Sequence, residues 1–247
     1  MAKMFQAKQA LAALQAKANS QKAAFFQGFF KTGPGEYGEG DVFIGLSVPQ
    51  TRDIAQEFHE LPLTEIRKLL ASPIHEARLL ALIILVRQFE KARKLPELRK
   101  EIAEFFLNNR TRVNNWDLVD SSAFQILGTH LLETGKSRAV LRKLAKSKSL
   151  WDRRIGIMAS FAFMRVAKPP QFEDTTEICE LLLKDREDLI HKATGWMLRE
   201  AGKRDLKVLT RFLDRYATTM PRTMLRYAIE KLPERQRLAY LRKTKSS

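Results

Sequence analysis

The chain has few of the residues from which disulfides and metal centres are built. Of its 247 residues only Cys179 is a cysteine, so no internal disulfide can form. Its setting among isoleucine and leucine at helical spacing predicts a buried, unreactive thiol rather than a nucleophile. The histidines share no metal-ligand spacing, which argues against a zinc site. They are His59, His75, His130 and His191. We therefore expect neither a metal nor a cofactor.

Long apolar runs are also missing. No segment approaches the roughly 20 apolar residues of a membrane span. Residues 1–6 lack the apolar stretch of a secretory signal. Nucleophile-elbow and helix-hairpin-helix patterns are absent as well. We expect a cytoplasmic protein with no membrane partner.

Acidic residues are scarce. The chain has 28 Asp and Glu against 44 Lys and Arg, a net charge of +16. Residues 136–165 hold nine basic residues against Asp152 alone, and residues 199–245 hold fourteen against five acids. This excess of positive charge favours binding to a polyanion such as nucleic acid, and such binding should weaken steeply as the salt concentration rises. The alternative is a solvated basic surface that aids solubility.

Apolar residues recur at helical spacing almost throughout, and no segment shows the sustained period of two that marks a strand. Asn19, Ser47 and Ser149 are predicted helix caps. The predicted helices are 4–17, 20–30, 49–59, 62–71, 73–92, 96–108, 115–127, 129–134, 136–147, 150–166, 172–184, 187–202, 204–217, 221–231 and 233–243.

Short paired helices joined by short turns are typical of an α-solenoid of helical hairpins. Such an array has a concave face, which this charge would suit to a duplex. We expect one all-α domain over residues 1–247, with an N-terminal helix within residues 1–18 and a flexible tail at residues 244–247.

A glycine-rich loop at residues 31–41 interrupts the helices and holds four of the eleven glycines. It lacks the Gly-Lys-Ser/Thr ending of a phosphate-binding loop, and its own acids would repel phosphate. We interpret it as a flexible connector, followed by an apolar tether at residues 42–46.

The stretch Asn114-Asn115-Trp116-Asp117-Leu118-Val119-Asp120 is the most informative in the chain. Its asparagines can cap a helix, and Trp116 and Asp120 are four residues apart, so they share one helical face. An aromatic plane beside a carboxylate suits a cation. Taken singly, a tryptophan is more often a core anchor and an aspartate more often an ordinary surface acid.

Four motifs occur in an order that resembles a known family. They are Phe43-Ile44-Gly45-Leu46-Ser47-Val48-Pro49, Asn115-Trp116-Asp117-Leu118-Val119-Asp120, Leu150-Trp151-Asp152-Arg153-Arg154 and Lys192-Ala193-Thr194-Gly195-Trp196-Met197-Leu198-Arg199-Glu200. Together they look like the AlkD family, bacterial alkylpurine DNA glycosylases built from HEAT-like repeats. The resemblance covers roughly residues 20–235.

The resemblance implies a catalytic set of Asp120, Trp116 and Trp196, and an arginine at the DNA backbone, which maps to Arg154. Phe29 is the nearest match to an aromatic of the second helix that is usually tyrosine, so here a hydroxyl contact would be missing. The residues assigned to DNA binding are Arg154, Arg153, Phe29, Trp151, Lys192 and Arg199.

The chemistry of alkylated purines agrees with this resemblance. Alkylation at N3 of adenine or N7 of guanine makes the base cationic and a good leaving group, so no general acid is required. The enzyme must then stabilise the departing base and an oxocarbenium-like sugar, which one carboxylate and two indole faces can do. Many glycosylases flip the base into a pocket. The resemblance implies instead a shallow cleft that contacts the sugar.

Three functions follow from these observations. The first is a cofactor-free, monofunctional glycosylase that acts as a monomer on duplex DNA containing 3-methyladenine or 7-methylguanine, in the bacterial cytosol or nucleoid. The second is a non-catalytic module that binds damaged or distorted DNA. The third is a protein-binding helical scaffold, a common use of solenoids, which the charge disfavours.

Overall fold

The computed structural model describes residues 5–135 and 138–243. The start of the first predicted helix, the start of the helix predicted at 136–147 and the predicted tail at 244–247 lie outside these residues. The chain divides into two compact units, residues 1–122 and residues 123–247. The prediction of a single domain stays a prediction.

The first unit consists of helices, most of them joined by short turns, with a longer connection at residues 30–47. Its α-helices are α1 (Ala7–Gln15), α2 (Ser20–Phe29), α3 (Val48–Glu57), α4 (Leu63–Leu70), α5 (His75–Lys91), α6 (Pro96–Asn108) and α7 (Trp116–Asp120). Short 3₁₀ turns, Ala92–Lys94 and Arg110–Arg112, flank α6. The one extended pairing among the described residues is an isolated parallel bridge between Val42 and Ile74.

The second unit is helical as well. A π-helix, Phe124–Gly128, precedes its α-helices. These are α8 (Thr129–Thr134), α9 (Ala139–Ala145), α10 (Leu150–Ala159), α11 (Phe161–Arg165), α12 (Glu173–Leu181), α13 (Asp188–Arg204), α14 (Leu206–Tyr216), α15 (Arg222–Ala228) and α16 (Glu234–Arg242). The all-α prediction is confirmed. No helix in the described part of the chain is both long and apolar enough to span a bilayer.

Within each unit, helices pack chiefly on near neighbours in the chain. In the first unit α3 and α4 pack on α5, and in the second α9 packs on α10 and α13 on α14 and α15. This local packing is the pattern of an α-solenoid.

The helix predicted at 115–127 is interrupted after Asp120 by a turn at residues 121 and 122, and the π-helix Phe124–Gly128 follows. There α7 ends in a turn, and the hydroxyl of Ser122 donates to the Leu118 carbonyl at 2.6 Å, competing for a backbone acceptor of the helix. Gly128, the predicted stop, instead has helical φ and ψ and leads into α8. A Cβ there would lie 2.1 Å from the Ala159 carbonyl oxygen. The glycine is therefore required for close packing, not for ending a helix.

The core of the first unit is built around α5, which is buried along most of its length. The carboxylate of Glu76, in its first turn, accepts hydrogen bonds from the amides of Ile44, Gly45 and Leu46 at 2.8–3.2 Å. The predicted apolar tether is thus a segment held on α5. The Asn19 amide in turn donates to the Ile44 carbonyl at 2.8 Å, which anchors the start of α2.

Gly45 explains why the segment can lie so close to α2. Its φ is +88°, in the left-handed region that glycine tolerates. A Cβ at this position would lie 2.1 Å from the Asn19 carbonyl oxygen. The predicted Asn19 cap is confirmed, since its Oδ1 accepts from the Lys22 amide at 2.9 Å. Together these contacts fix the entry of the helix that carries Phe29.

The single thiol is buried, as predicted. Cys179 is 0% exposed and lies against the Thr194 carbonyl. Burial raises the pKa of this thiol far above its ordinary range, and Glu180 adds to the effect. A neutral, enclosed thiol is a poor nucleophile.

Candidate functional site

The Trp116–Asp120 motif forms its own short helix, α7. Asn115 is the N-cap, and its Oδ1 accepts from the Trp116 amide at 2.8 Å. Asp117 lies in the first turn, where a carboxylate complements the positive end of a helix. Trp116 and Asp120 are half-buried and four positions apart on this helix, so they share a face as predicted.

A stack of rings supports the indole of Trp116. The indole is stacked on Phe30 with centroids 5.1 Å apart and planes at 14°. Phe30 stacks on Phe43 at 4.8 Å, and Phe43 stacks on the imidazole of His75 at 4.3 Å. Offset aromatic pairs of this kind stabilise beyond their buried area. Phe43 belongs to the first of the four motifs, which therefore supports the second through Phe30.

Phe29 contacts the same tryptophan from another direction. Its ring meets the indole edge-on, with centroids 6.1 Å apart and planes at 68°. The side chain is 54% exposed, unlike Phe30, which is 8% exposed. The structure thus brings Trp116 and Phe29 together.

Behind Trp116 lies a buried polar network centred on His75, which we name the His75 network. The Nδ1 of His75 lies 3.1 Å from Asp41 Oδ2, and Nε2 lies 2.8 Å from Asp117 Oδ2. Arg78 donates to the other oxygen of Asp41 at 2.5 Å, and Asn115 Nδ2 donates to Asp41 at 3.1 Å. The network therefore joins the end of the glycine-rich loop to the first turns of α5 and α7.

The His75 network favours a charged imidazole. Burial disfavours the charged form, but Asp117 and Asp41 outweigh it and hold the pKa of His75 above its ordinary value. Burial alone would raise the pKa of Asp41. The hydrogen bonds from His75 and Asn115 and the charge of Arg78 lower it below its ordinary value. An imidazolium donates from both ring nitrogens, so it satisfies both carboxylates at once.

Sequence reasoning missed this network and treated the loop before it as a flexible connector. The structure shows a hydrogen-bonded loop. Glu36 and Glu39 accept from the amides of Gly33 and Gly35 at 2.9 and 3.0 Å, and Asp41 is 4% exposed. The run His75-Glu76-Ala77-Arg78 does contain a signal, because ionisable groups directly before the apolar stretch at residues 79–86 are expected to be buried and to need partners.

Trp196 lies in the second unit, on α13. It is half-buried, and its ring lies near that of Phe161, with centroids 6.4 Å apart. The preceding Gly195 lets α13 approach α15, because a Cβ there would lie 2.5 Å from the Met224 carbonyl oxygen. The Gly-Trp pair of the motif thus combines a close helix contact with an aromatic side chain.

Arg154 is buried more deeply than contact with a DNA backbone alone would require. It is 5% exposed, and its guanidinium donates to the Leu189 carbonyl at 2.5 Å. Arg153 pairs with Asp185 through Nε at 2.6 Å and donates to the carbonyls of Ser147 and Lys148. Both arginines therefore tie α10 to neighbouring backbone, and their DNA contacts stay predictions.

The remaining predicted DNA contacts also lie in the second unit. Trp151 is half-buried in the first turn of α10. Lys192 pairs with Asp188 at 2.8 Å, one turn away on α13. Arg199 pairs with Glu230 and approaches Glu200. These surface pairs contribute about 0–1 kcal/mol each, so DNA phosphates can compete for the cations.

The charge is divided unequally between the units. Residues 123–247 carry 27 Lys and Arg against 14 Asp and Glu, a net +13. Residues 1–122 carry 17 against 14, a net +3. In the described residues, no cluster of three or more His, Cys, Asp or Glu is arranged to hold a metal ion.

The second unit also contains a groove that is separate from the residues predicted for the functional site. It has a volume of about 510 Å³ and lies between α12 and α14. Its walls combine both signs of charge with aromatic rings, including Glu180, Arg211, Arg215 and Tyr216. The residues predicted for the functional site are not among those that line it.

Comparison with known proteins places the chain in a family. A family model described as DNA alkylation repair enzyme matches residues 10–232. The chain belongs to this DNA alkylation repair family. A solved structure described as a predicted DNA alkylation repair enzyme from Enterococcus faecalis has the same fold, with a TM-score of 0.68. The two are 17% identical, over 88% of this chain and 97% of that one. No curated protein sequence matches the chain.

Membership of the DNA alkylation repair family confirms the resemblance seen in the four motifs. The family supports DNA repair as the general role. It does not specify the reaction or the roles of individual residues. The matched range contains all the residues predicted for the site.

Proposed function

We propose that the protein hydrolyses the N-glycosidic bond of cationic alkylated purines, such as 3-methyladenine and 7-methylguanine, in duplex DNA. The observation that carries the proposal is α7, which presents Trp116 and Asp120 on one face in a member of a DNA alkylation repair family. The ring stack and the His75 network support that helix from behind. An indole and a carboxylate held in this way favour a positively charged ligand.

In the proposed reaction, the bond between C1′ of the deoxyribose and the purine nitrogen breaks with its electron pair going to the base. The base leaves neutral, so no proton donor is needed. The sugar becomes oxocarbenium-like, and the Asp120 carboxylate stabilises its charge and orients a water molecule. The water oxygen bonds to C1′ and loses a proton to the solvent, leaving an abasic site.

The two tryptophans have an electrostatic role in this proposal. Each indole face attracts a cationic base or sugar by about 1 kcal/mol, and by more where water is excluded. Trp116 is held rigidly by Phe30, so little side-chain entropy is lost when a ligand binds. Trp196 supplies the second indole, following the family resemblance. Arg154 is proposed to hold the backbone phosphate beside the lesion.

Release of methylated bases from alkylated DNA tests the proposal directly. Wild-type protein should liberate 7-methylguanine or 3-methyladenine, measured by chromatography of the released bases. Asp120→Asn keeps the shape and removes the charge, so the rate should fall about 10²- to 10³-fold, the loss expected when one transition-state contact is removed. Asp53→Asn, at an exposed acid of the same unit, is the matched control and should be unchanged.

Two outcomes would contradict the glycosylase proposal. One is a wild-type protein that releases neither base, and the other is an Asp120→Asn variant as active as wild type. Absence of release together with tight, salt-sensitive binding to damaged duplex would support the non-catalytic module instead.

A further inference from the structure

An exposed aromatic surface on α2 extends from the candidate site. Phe25 and Phe29 are 65% and 54% exposed, and their rings stack with centroids 6.0 Å apart and planes at 19°. They are four positions apart, so they share one face of the helix. Phe29 touches Trp116, so the surface continues to the tryptophan of α7. We name Phe25 and Phe29 the α2 aromatic pair.

This helix contributes little to the core. None of the ten residues of α2, Ser20–Phe29, all within the described part of the chain, is buried. A Cβ added at Gly28 would meet no described atom within 4 Å. The ring of Phe26 lies 5.9 Å from that of Phe25 and also contacts Phe30 and Phe43. The α2 aromatic pair therefore faces open space, where two phenylalanines are unfavourable unless something covers them.

The charge near the α2 aromatic pair favours an anionic partner as the molecule that covers it. Residues 1–31 contain five lysines and no Asp or Glu, and the first acid of the chain is Glu36. Lys22 lies in α2 and Lys31 follows it, and both side chains are exposed. The rest of the first unit carries a small net negative charge, because the unit as a whole is only +3. Two exposed lysines, Lys22 and Lys31, thus lie on or just after the helix that carries the exposed rings.

Aromatic faces flanked by lysines are the combination that binds unstacked nucleotides. Bases stack on the rings, while the cations contact phosphates. We propose that the α2 aromatic pair stacks on a base or deoxyribose exposed beside the alkylated nucleotide, with Phe25 as a DNA-contacting residue and Lys22 and Lys31 on the backbone. The proposal rests on the proposed function for the identity of the lesion, but its contact with DNA can be measured without any reaction.

A surface of rings and lysines could also bind a lipid headgroup region. The observations favour DNA, because the pair is continuous with Trp116 in a protein of a DNA repair family. An anionic membrane would need a longer apolar stripe than two residues on a ten-residue helix.

The test compares variants of Phe25 in the full chain by fluorescence anisotropy, using a duplex with a tetrahydrofuran abasic analogue. Phe25→Leu keeps an apolar side chain and removes the π face, whereas Phe25→Trp keeps a π face. Phe25→Leu should weaken binding by about 5- to 150-fold, the range for loss of one base stack. Phe25→Trp should stay within about threefold of wild type. Leu95→Ala, at an apolar side chain that is 56% exposed, is the control and should bind like wild type.

The outcomes separate this proposal from the glycosylase proposal. If Phe25→Leu binds the abasic duplex like wild type, the α2 contact is refuted, whatever the chemistry. If it weakens binding while the wild-type protein releases no base, the contact stands and the glycosylase proposal fails. Co-sedimentation with phosphatidylserine vesicles that depends on Phe25, combined with unchanged DNA affinity, would overturn the contact in favour of a membrane surface. Thermal unfolding of each variant checks that the fold is intact.

Discussion

The Nε2 atom of His75 lies 2.8 Å from Oδ2 of Asp117, and this contact joins the first turn of α5 to the first turn of α7. Asp117 immediately follows Trp116 in the chain. The orientation of the Trp116–Asp120 face therefore depends on a histidine 42 residues earlier, which has no predicted role in the chemistry.

Removing the imidazole should be costly. His75→Ala leaves the carboxylates of Asp41 and Asp117 buried without their shared donor, so we expect a loss of about 3–5 kcal/mol in the free energy of unfolding. Urea denaturation measures this directly. His59→Ala is the control, because the His59 side chain is 32% exposed and faces Glu60 at the surface. Equal stabilities of the two variants would show that the network contributes nothing.

The stability contributed by His75 should fall in alkaline solution. Its pKa is raised on folding, so its contribution is complete below the ordinary value of about 6.5 and is lost as pH rises through the folded-state value. The groups that face it are Asp41, Asp117 and, through Asp41, Arg78. Asp41 has a lowered pKa and acts in the opposite sense. Its contribution is complete above about 3.9 and is lost as pH falls through its folded-state value.

Denaturation of wild type and His75→Ala at several pH values checks this sign. The difference in unfolding free energy should be largest near pH 6 and should shrink as pH rises. A difference that grows between pH 6 and pH 10 would mean that the neutral imidazole is the stabilising form.

Gly45 should be intolerant of any side chain. Gly45→Ala combines a φ of +88° with a Cβ 2.1 Å from the Asn19 carbonyl oxygen, so we expect a loss of at least about 2 kcal/mol. Gly40→Ala separates the two causes, because Gly40 has a φ of +81° but a Cβ there would meet nothing within 4 Å among the described atoms. Thermal unfolding should rank Gly45→Ala well below Gly40→Ala. The reverse order would refute the close contact with α2.

Gly195 should be required for the packing of α13 on α15. Gly195→Ala places a Cβ 2.5 Å from the Met224 carbonyl oxygen, so we expect a lower melting temperature and a changed emission spectrum of the neighbouring Trp196. Gly28→Ala is the matched helical control, with open space around it. It should be neutral or up to about 1 kcal/mol more stable, because alanine is the better helix former. Equal effects of both substitutions would contradict the packing role.

Arg154 should affect both stability and DNA binding. Arg154→Ala removes the hydrogen bond to the Leu189 carbonyl and a buried side chain, so the melting temperature should fall along with DNA affinity and base release. Lys148→Ala removes one exposed charge from the same basic run and should alter only the salt-dependent part of the affinity. Normal DNA binding by a folded Arg154→Ala protein would exclude the predicted backbone contact.

Much of the secondary structure could be predicted because its determinants are local. Apolar spacing located most helices to within a few residues, and α6 begins at Pro96 as predicted. The caps at Asn19 and Ser149 were found because a side-chain oxygen satisfies an amide two or three residues away. The turn after Asp120 was missed, since it depends on hydroxyl groups competing for helix carbonyls and on what packs around Gly128.

The sequence by itself determined the helical class, the positive field and the family, because periodicity, composition and ordered motifs do not depend on distant contacts. It also placed Trp116 and Asp120 on one helical face. Only the tertiary structure decided what holds that face, because the stack of Phe30 and Phe43 and the hydrogen bonds of His75 join residues far apart in the chain. Such pairings follow from the folded path of the backbone, and the spacing of residues along the chain does not encode them.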